Sequence, residues 1–398
     1  MVSQGSDDKC VRCGACLSVC PVYNSQLKER FSPRGKNYLL KRSTLDKKGV
    51  LFTETIKACL QCGACRAVCT SGADVCSLIR HERALHSFFR SLPHPVYSVF
   101  ANRPVSGFLA RAVGMLPSGI QADSQEETSI HGFRASLLNA ARVLRPPAHS
   151  FLARPDLWAG KFRRRAHQVK HRGKAPRVAF FVGCSQDILF PEIPAKISAI
   201  LGNDLKVPVK QVCCGLPAWS AGAYEYARTV VKKNLLAFSQ DEFDILLTGC
   251  ASCASMIKKW PMLFEKGSPE KTGAKKMAGK IMEFSRFALE FLQPSPFNAD
   301  KKVVFQMPCH QRYDLGRPDD PLRLLEQNLG KQFDKSEVGC CGQGGIFGIV
   351  RPDLSMRIFE ESFSNMGSGI NMVVTSCSGC LIRLKTGLSA GRQKGKKI

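Results

Sequence analysis

Two cysteine runs of identical spacing constrain this chain more than any other feature. The first is Cys10, Cys13, Cys16 and Cys20; the second is Cys59, Cys62, Cys65 and Cys69. Each reads C-x2-C-x2-C-x3-C. The first three thiolates of such a run lie on one curved loop and can hold three corners of an iron–sulfur cube. The fourth points away and reaches a neighbouring cube. The spacing therefore predicts one 4Fe–4S cluster on Cys10, Cys13, Cys16 and Cys69, and a second on Cys59, Cys62, Cys65 and Cys20. Structural zinc uses two C-x2-C pairs and has no use for a third cysteine at the same spacing, twice over. Pro21 follows the first run and Thr70 the second. That position shapes a turn and supplies no ligand. Cys76 comes shortly afterwards and reads as a spare thiol under the cluster; as a ligand it is surplus to four per cube, so it is left outside the site.

The remainder of the 398 residues is long enough for two or three domains, and 44% hydrophobic residues mark a folded chain. Nineteen cysteines behind an N-terminus that reads as no export signal point to a reducing compartment, metal binding and a cytoplasmic protein. No apolar run reaches the roughly 18–20 residues of a membrane helix. The best stretch, 108–120, is broken by Arg111 and Pro117. Any membrane contact is therefore expected to be peripheral, on the inner face. The formal charge is +26. Each four-thiolate cube subtracts roughly two charges, so a strongly basic balance survives even four clusters. It suits an acidic partner subunit or an anionic membrane face. Without aromatic residues interleaved among the basic ones, nucleic acid is not the expected partner.

Phe31-Ser32-Pro33-Arg34-Gly35-Lys36 reads as a turn, followed by a short helix over 37–45 with Tyr38, Leu39 and Leu40 inward. Val75 to Arg90 has the period of one amphipathic helix, with Leu78, Ile79, Leu85, Phe88 and Phe89 inward and Arg80, Arg83 and Arg90 on other faces. Residues 91–176 are rich in Pro, Ser, Arg and Ala. They end in a basic stretch that includes Lys161, Arg163, Arg164, Arg165, Lys170, Arg172, Lys174 and Arg177, either a solvated linker or a docking arm. His94, His167 and His171 fall in these loops.

From residue 177 the chain repeats itself. Arg177–Cys184 answers Lys302–Cys309, Cys213-Cys214-Gly215 answers Cys340-Cys341-Gly342, and the pair Cys250 and Cys253 answers Cys377 and Cys380. The matched cysteines lie 125–127 residues apart, which marks an internal duplication. Short β-branched runs at 178–182, 244–248, 303–305 and 371–375 read as buried strands that each end near a cysteine. Helical stretches at 225–238 and 352–366 lie between them. Alternating strand and helix predicts a parallel α/β layer in each copy, with all five sulfurs gathered at the carboxyl ends of the strands. Glycines after each cysteine pair let backbone approach a bulky cofactor. His310, directly after Cys309, is a candidate to tune or ligate a cluster, while Trp219 and Trp260 are expected to pack. Five thiolates, two adjacent in sequence, do not suit one ordinary cube, and the residues alone leave the matter there.

The pattern resembles a known family. A Cys, a Cys-Cys-Gly about 30 residues on and a C-x2-C about 35 further are similar to the cysteine-rich CCG domain. An eight-cysteine ferredoxin module followed by two CCG units resembles the iron–sulfur subunit of glycolate oxidase and related D-lactate dehydrogenases. It also resembles the CCG-bearing subunit of heterodisulfide reductase. Pro33-Arg34-Gly35-Lys36-Asn37-Tyr38-Leu39 and Gly183-Cys184-Ser185-Gln186 resemble the glycolate oxidase type. The resemblance implies one further, noncubane 4Fe–4S cluster on Cys184, Cys213, Cys214, Cys250 and Cys253. It implies another on Cys309, Cys340, Cys341, Cys377 and Cys380. Relatives of the glycolate oxidase type often keep one cysteine of each C-x2-C pair. This chain keeps both, which leans toward the disulfide reductase.

The expected fold class is α+β: an α-helical two-cluster ferredoxin module at 1–90, a basic segment at 91–176, and α/β CCG units at 177–300 and 301–398. Gly342-Gln343-Gly344-Gly345 lacks the acidic residue of a dinucleotide fingerprint, and no nucleophile–base arrangement is visible. The chain is therefore expected to carry electrons, with no catalytic residue of its own. An FAD-binding dehydrogenase subunit would oxidise the 2-hydroxyacid, and a quinone or another acceptor would take the electrons. The alternative is a heterodisulfide-reductase-like subunit whose CCG clusters reduce a disulfide.

Overall fold

The computed structural model describes residues 9–41, 46, 49–91, 151–153, 155, 170, 172–202, 205–240, 242–296, 302–364, 366 and 369–390. Most of the basic segment, including His94, His167 and His171, lies outside them, as does the stretch 108–120.

The first module is helical. After Cys20 comes α1 (Pro21–Gln26), with proline in the first turn, where a missing N–H costs nothing. The expected turn at 31–36 is instead the start of a helix, α2 (Pro33–Lys41). Ser32 caps it: its Oγ accepts from Gly35 N–H at 2.8 Å. Gly35 lets the chain fold back on itself, since a Cβ there would lie 2.1 Å from the Glu29 carbonyl oxygen. Leu40 is buried, while Tyr38 and Leu39 are half-buried. Next come α3 (Val50–Lys57) and α4 (Val75–Leu85). Asp74 caps α4 by accepting from Ser77 N–H. The helix expected over Val75–Arg90 breaks at His86, whose backbone is extended (ψ 134°), and resumes over Ser87–Ser91. Leu78 and Ile79 face the core, but Leu85 is exposed.

The arginines of α4 depart most sharply from the expected pattern. Arg80 and Arg83 do not face solvent; both are buried, Arg83 at 1% exposure. Arg83 donates to the carbonyls of Ile56 (2.8 Å), Cys59 (2.8 Å) and Ser220 (2.7 Å). Helical periodicity assigns charge to the outside of a helix. It cannot see carbonyls that two other segments deliver.

The duplicated half forms two three-stranded parallel sheets. In the first, β1 (Val178–Phe180), β2 (Ile245–Thr248) and β3 (Ile281–Glu283) lie side by side in that order. Val178 pairs with Ile245, and Leu246 with Ile281. In the second, β4 (Lys302–Gln306) lies between β5 (Phe333–Val338) and β6 (Ile370–Val374). The copies agree more closely than those orders suggest. Ala179 of β1 bridges Lys206 in parallel on its other side, and Phe333, which begins β5, stands 127 residues after Lys206. The strands at β3 and β5 are not legible in the sequence. β3 has three residues, and β5 (Phe-Asp-Lys-Ser-Glu-Val) is buried only at its ends. Full burial of β1 and β2 is what a parallel sheet covered on both faces demands. The helices expected at 225–238 and 352–366 are present as α5 (Tyr224–Ala237) and α7 (Pro352–Ser364). Between them lies α6 (Ala251–Lys259), and α8 (Ser378–Ala390) closes the described chain.

One hydrophobic core runs through all three units. Phe52, Ile56, Leu78 and Ile79 from the helical module pack with Trp219, Met256 and Trp260 of the first α/β unit and Ile346 and Val350 of the second. Trp260 is fully buried and donates its indole N–H to the Cys214 carbonyl at 2.9 Å. Asp314 pins the same junction with charge. It accepts from Arg66 of the helical module (2.7 Å) and from Ser255 and Lys259 of α6 (both 2.6 Å). Burial alone would raise its pKa, but Lys259 and its other partners hold it at about 2.

A carboxyl held below its ordinary value contributes stability above that value and loses it as pH falls toward 2. At neutral pH Asp314 is therefore worth about 2 kcal/mol. Asp314→Asn also removes the counter-charge of Lys259 and leaves Arg66 only the more distant Asp74, at 3.7 Å. The expected loss is about 2–3 kcal/mol, read as a lower urea midpoint at pH 7 and as faster proteolysis where the units meet.

Candidate iron–sulfur sites

The two cysteine runs adopt the same backbone. Arg12 and Gln61 both have φ of 59°, and Gly14 and Gly63 have φ of 88° and 81°. Non-glycine residues rarely enter the left-handed region, and such strain concentrates where a loop must wrap something. In the first loop Cys16 feels Cys10 and Cys20 electrostatically, and Cys13 is exposed at the rim. Burial raises the Cys16 thiol, and the backbone N–H of Arg34, in the first turn of α2, pulls it back. Cys69 is anchored separately. Its sulfur meets Ser71 Oγ and the N–H of Ala73, both at 3.3 Å, and the Ser71 bond lowers its pKa. The loop carrying it packs beside the first run, for a Cβ on Gly72 would stand 3.8 Å from Lys9.

The second run lines a pocket. Its walls include Cys59, Cys62 and Cys65, and also Cys20 from the first run. Cys76 lines the same pocket, beside Cys59 and Cys65. Ligand number alone excludes Cys76, yet α4 carries it into the wall. Cys59 pulls the Cys76 thiol down, but Cys65 and burial outweigh it and push the thiol up to about 12. Lys36 is the cation in this wall, at 2% exposure. It is visible in the sequence as the end of Pro33-Arg34-Gly35-Lys36, but its direction is not.

Each α/β unit gathers its five thiols at the carboxyl ends of its strands. In the first, Cys184 meets Cys213 at 3.5 Å, and Cys214, Cys250 and Cys253 lie close enough to shift one another's ionisation. Gly183 permits this crowding, since a Cβ there would be 2.9 Å from the Cys253 sulfur. In the second, Cys341 meets Cys380 at 3.1 Å, and Cys340 and Cys377 lie close enough to this pair to shift its ionisation. Cys309 is the outlying member. It feels Cys341 and Cys377, and also Cys62 of the helical module.

Nothing in the cysteine spacing shows that the two sets adjoin. The N-termini of α6 and α8 interlock: Ala251 N–H donates to the Ser376 carbonyl at 2.9 Å, and Ser378 N–H to the Cys250 sulfur at 3.4 Å. Cys250 and Cys377 lie close enough to shift each other's ionisation. Ser252, between the cysteines of the first pair, meets Cys377 Sγ at 2.9 Å and His310 Nδ1 at 2.8 Å. His310 lies 4.0 Å from Cys309 Sγ, and burial drives its pKa down to about 4, so it is neutral at pH 7. The helical module is brought equally close. Gly344, after the second Cys-Cys-Gly, lies against the backbone of Leu60, with no room for a Cβ.

All nineteen cysteines are free. Packed thiols whose burial opposes ionisation need a cation to take up their negative charge, and the donor set is that of iron–sulfur chemistry.

Known families match along the same lines. A 4Fe–4S dicluster domain covers residues 6–73, and the cysteine-rich CCG domain matches twice, at 178–258 and 303–385. The chain is a CCG-domain iron–sulfur protein. It is similar to the probable glycolate oxidase iron-sulfur subunit of Bacillus subtilis, with 26% identity over 99% of this chain and 92% of that one. It is also similar to lactate utilization protein A 1 of Bacillus mycoides (28%, over 52% of this chain and 88% of that one). Lactate utilization protein A of Shouchella clausii matches likewise, at 28% over 52% and 89%. The relatives and domains support an electron-transfer role in an oxidoreductase complex and the binding of 4Fe–4S clusters.

A buried cation beside a cluster favours its reduced, more negative form. Lys36→Met is expected to lower the potential of the second cube by roughly 50–100 mV, the size of one partly screened charge at that range. A redox titration followed by electron paramagnetic resonance checks this. An unchanged potential would mean that Lys36 and the cluster do not share the pocket.

Proposed function

We propose that this CCG-domain protein is the electron-transfer subunit of a 2-hydroxyacid dehydrogenase acting on glycolate or D-lactate. A separate FAD-binding subunit oxidises the substrate. Cys10, Cys13, Cys16 and Cys69 hold one cube, and Cys59, Cys62, Cys65 and Cys20 the other. Cys184, Cys213, Cys214, Cys250 and Cys253 hold a third cluster. Cys309, Cys340, Cys341, Cys377 and Cys380 hold a fourth. Residues 1–90, 177–300 and 301–398 are the cluster-bearing units. Iron–sulfur clusters supply one-electron steps that divide the two-electron chemistry of a flavin.

One observation carries this reading: the sulfurs form a continuous series. Cys20 lies between the first two sites, and Cys62 is within electrostatic reach of Cys309 and Cys340, as Cys377 is of Cys250. The protein's part is to fix these neighbours and exclude water between them. Gly344 holds the second loop against the second CCG unit, and the α6 and α8 termini lock the two units together. Electrons would leave to a quinone or another acceptor. A quinone must be met at a surface, since among the described residues no helix is long and apolar enough to cross a membrane.

A second reading has its own support. Both five-cysteine sets are complete and meet at Cys250 and Cys377, which suits a site where a disulfide is reduced one electron at a time. Anaerobic purification from the native host separates the two. About 16 irons per chain with a co-purifying flavoprotein is the expected result. Full iron with a haem protein and no flavin subunit would favour disulfide reduction. About 8 irons would leave the CCG units without clusters and overturn the four-cluster series. Cys65→Ser is expected to lose one cube and leave the CCG signals in place, as read by iron content and paramagnetic resonance.

A further inference from the structure

The pocket of the second run holds one thiol too many. Cys20, Cys59, Cys62, Cys65 and Cys76 all line it, and a cube has four iron corners. Cys59, Cys62 and Cys65 share one loop and take three of them. The fourth corner has two claimants.

The claimants are held differently. Cys20 caps α1 and lies between the two cube sites, close enough to Cys16 and to Cys62 to affect both electrostatically. Cys76 is the second residue of α4, is 4% exposed and lines the pocket beside Cys59 and Cys65. Asp74 holds the first turn of this helix by accepting from the Ser77 N–H, which fixes Cys76 in the pocket wall. The helix is fixed in turn by Arg83 at its other end, through the carbonyls of Ile56, Cys59 and Ser220.

We propose that Cys76 is a fifth, ligand-competent thiol of the second cube, which takes the iron corner of Cys20 when Cys20 is released or lost. This rests on the reading that the pocket holds a 4Fe–4S cube. In the exchange, one iron–sulfur bond to Cys20 breaks and one to Cys76 forms. The Cys76 proton passes to the Cys20 sulfur, and no electron moves. Four thiolates remain on the cube, so its charge is unchanged and the pocket wall need not rearrange to balance it.

The test uses the full chain purified anaerobically, with iron and sulfide counts and paramagnetic resonance of the reduced protein. Alanine replaces cysteine because a serine oxygen could itself bind iron. Cys20→Ala and Cys76→Ala are each expected to keep the wild-type iron count. The double variant is expected to lose about four irons per chain, as is Cys62→Ala, which has no substitute. The resonance of the second cube should shift in Cys20→Ala, where the corner has changed hands, and stay as wild type in Cys76→Ala. Loss of about four irons in either single variant, with the CCG signals intact to show a folded chain, would overturn the proposal. A wild-type protein lacking iron in this module would overturn the cube itself, and the inference with it. The two failures are therefore told apart by the wild-type count.

Discussion

The architecture depends on a buried carboxylate that three separate segments must reach together. Asp314 accepts from Arg66 in the second cysteine loop and from Ser255 and Lys259 on α6, and it belongs to the turn that carries His310. Isolating any of these charges from water would be expensive. Together they satisfy one another, but only when the helical module and both α/β units are docked in one arrangement. Arg83 makes the same demand with backbone carbonyls, and Arg351 repeats it by joining Glu54 of α3 to Asp353 of α7. Such interactions add little net stability over well-packed apolar residues, but they penalise every misaligned docking. For a chain of redox sites that is the useful property, because transfer between sites depends on fixed spacing.

The duplicated units show what a repeat can and cannot carry. The five cysteine positions, the strands that precede them and the helices after the C-x2-C pairs recur with nearly constant offset. A comparison of the chain with itself is enough to find them. The relation between the copies is not written in either copy. It arises where Ala251 meets Ser376 and Ser378 meets Cys250, at helix N-termini whose backbone donors have no partner inside their own helix. Each unit supplies what the other leaves unsatisfied, and the two sulfur sets become neighbours as a by-product.

Legibility follows the range of the interactions. Cysteine spacing is a local property, so the cube loops and the CCG pattern can be read directly. Strands β1, β2 and β4 can be read because burial on both faces leaves a run of apolar residues, and β6 from its Met-Val-Val run although Asn371 is exposed. β5 cannot, since its Asp-Lys-Ser-Glu centre reads as a loop until β4 lies beside it. Arg80 and Arg83 look like solvent-facing residues because helical periodicity weighs polarity and cannot know that Gln61, Ile56 and Ser220 are waiting. Counting ligands sets Cys76 aside, and counting has no geometry. In each case the missing information is a partner on another segment of the chain.

The charge balance joins these threads. A net +26 looks like a surface property, yet part of it is internal: Lys36, Arg80 and Arg83 are buried around the helical module, and Arg383 is buried beside Ser355 in the second unit. Buried cations are costly unless negative charge is near. Carboxylates meet that need at Asp314 and Glu54. Around the second cysteine loop the negative partners are sulfurs, with Lys36 in the pocket wall and Arg83 drawing the Cys59 carbonyl inward. Thiols resist ionisation there, and lysine resists burial there. A cluster carrying net negative charge removes both penalties at once. On the proposed assignment, the same residues that prepare the pocket for a cube would make the cube part of what holds the helical module to the rest of the chain.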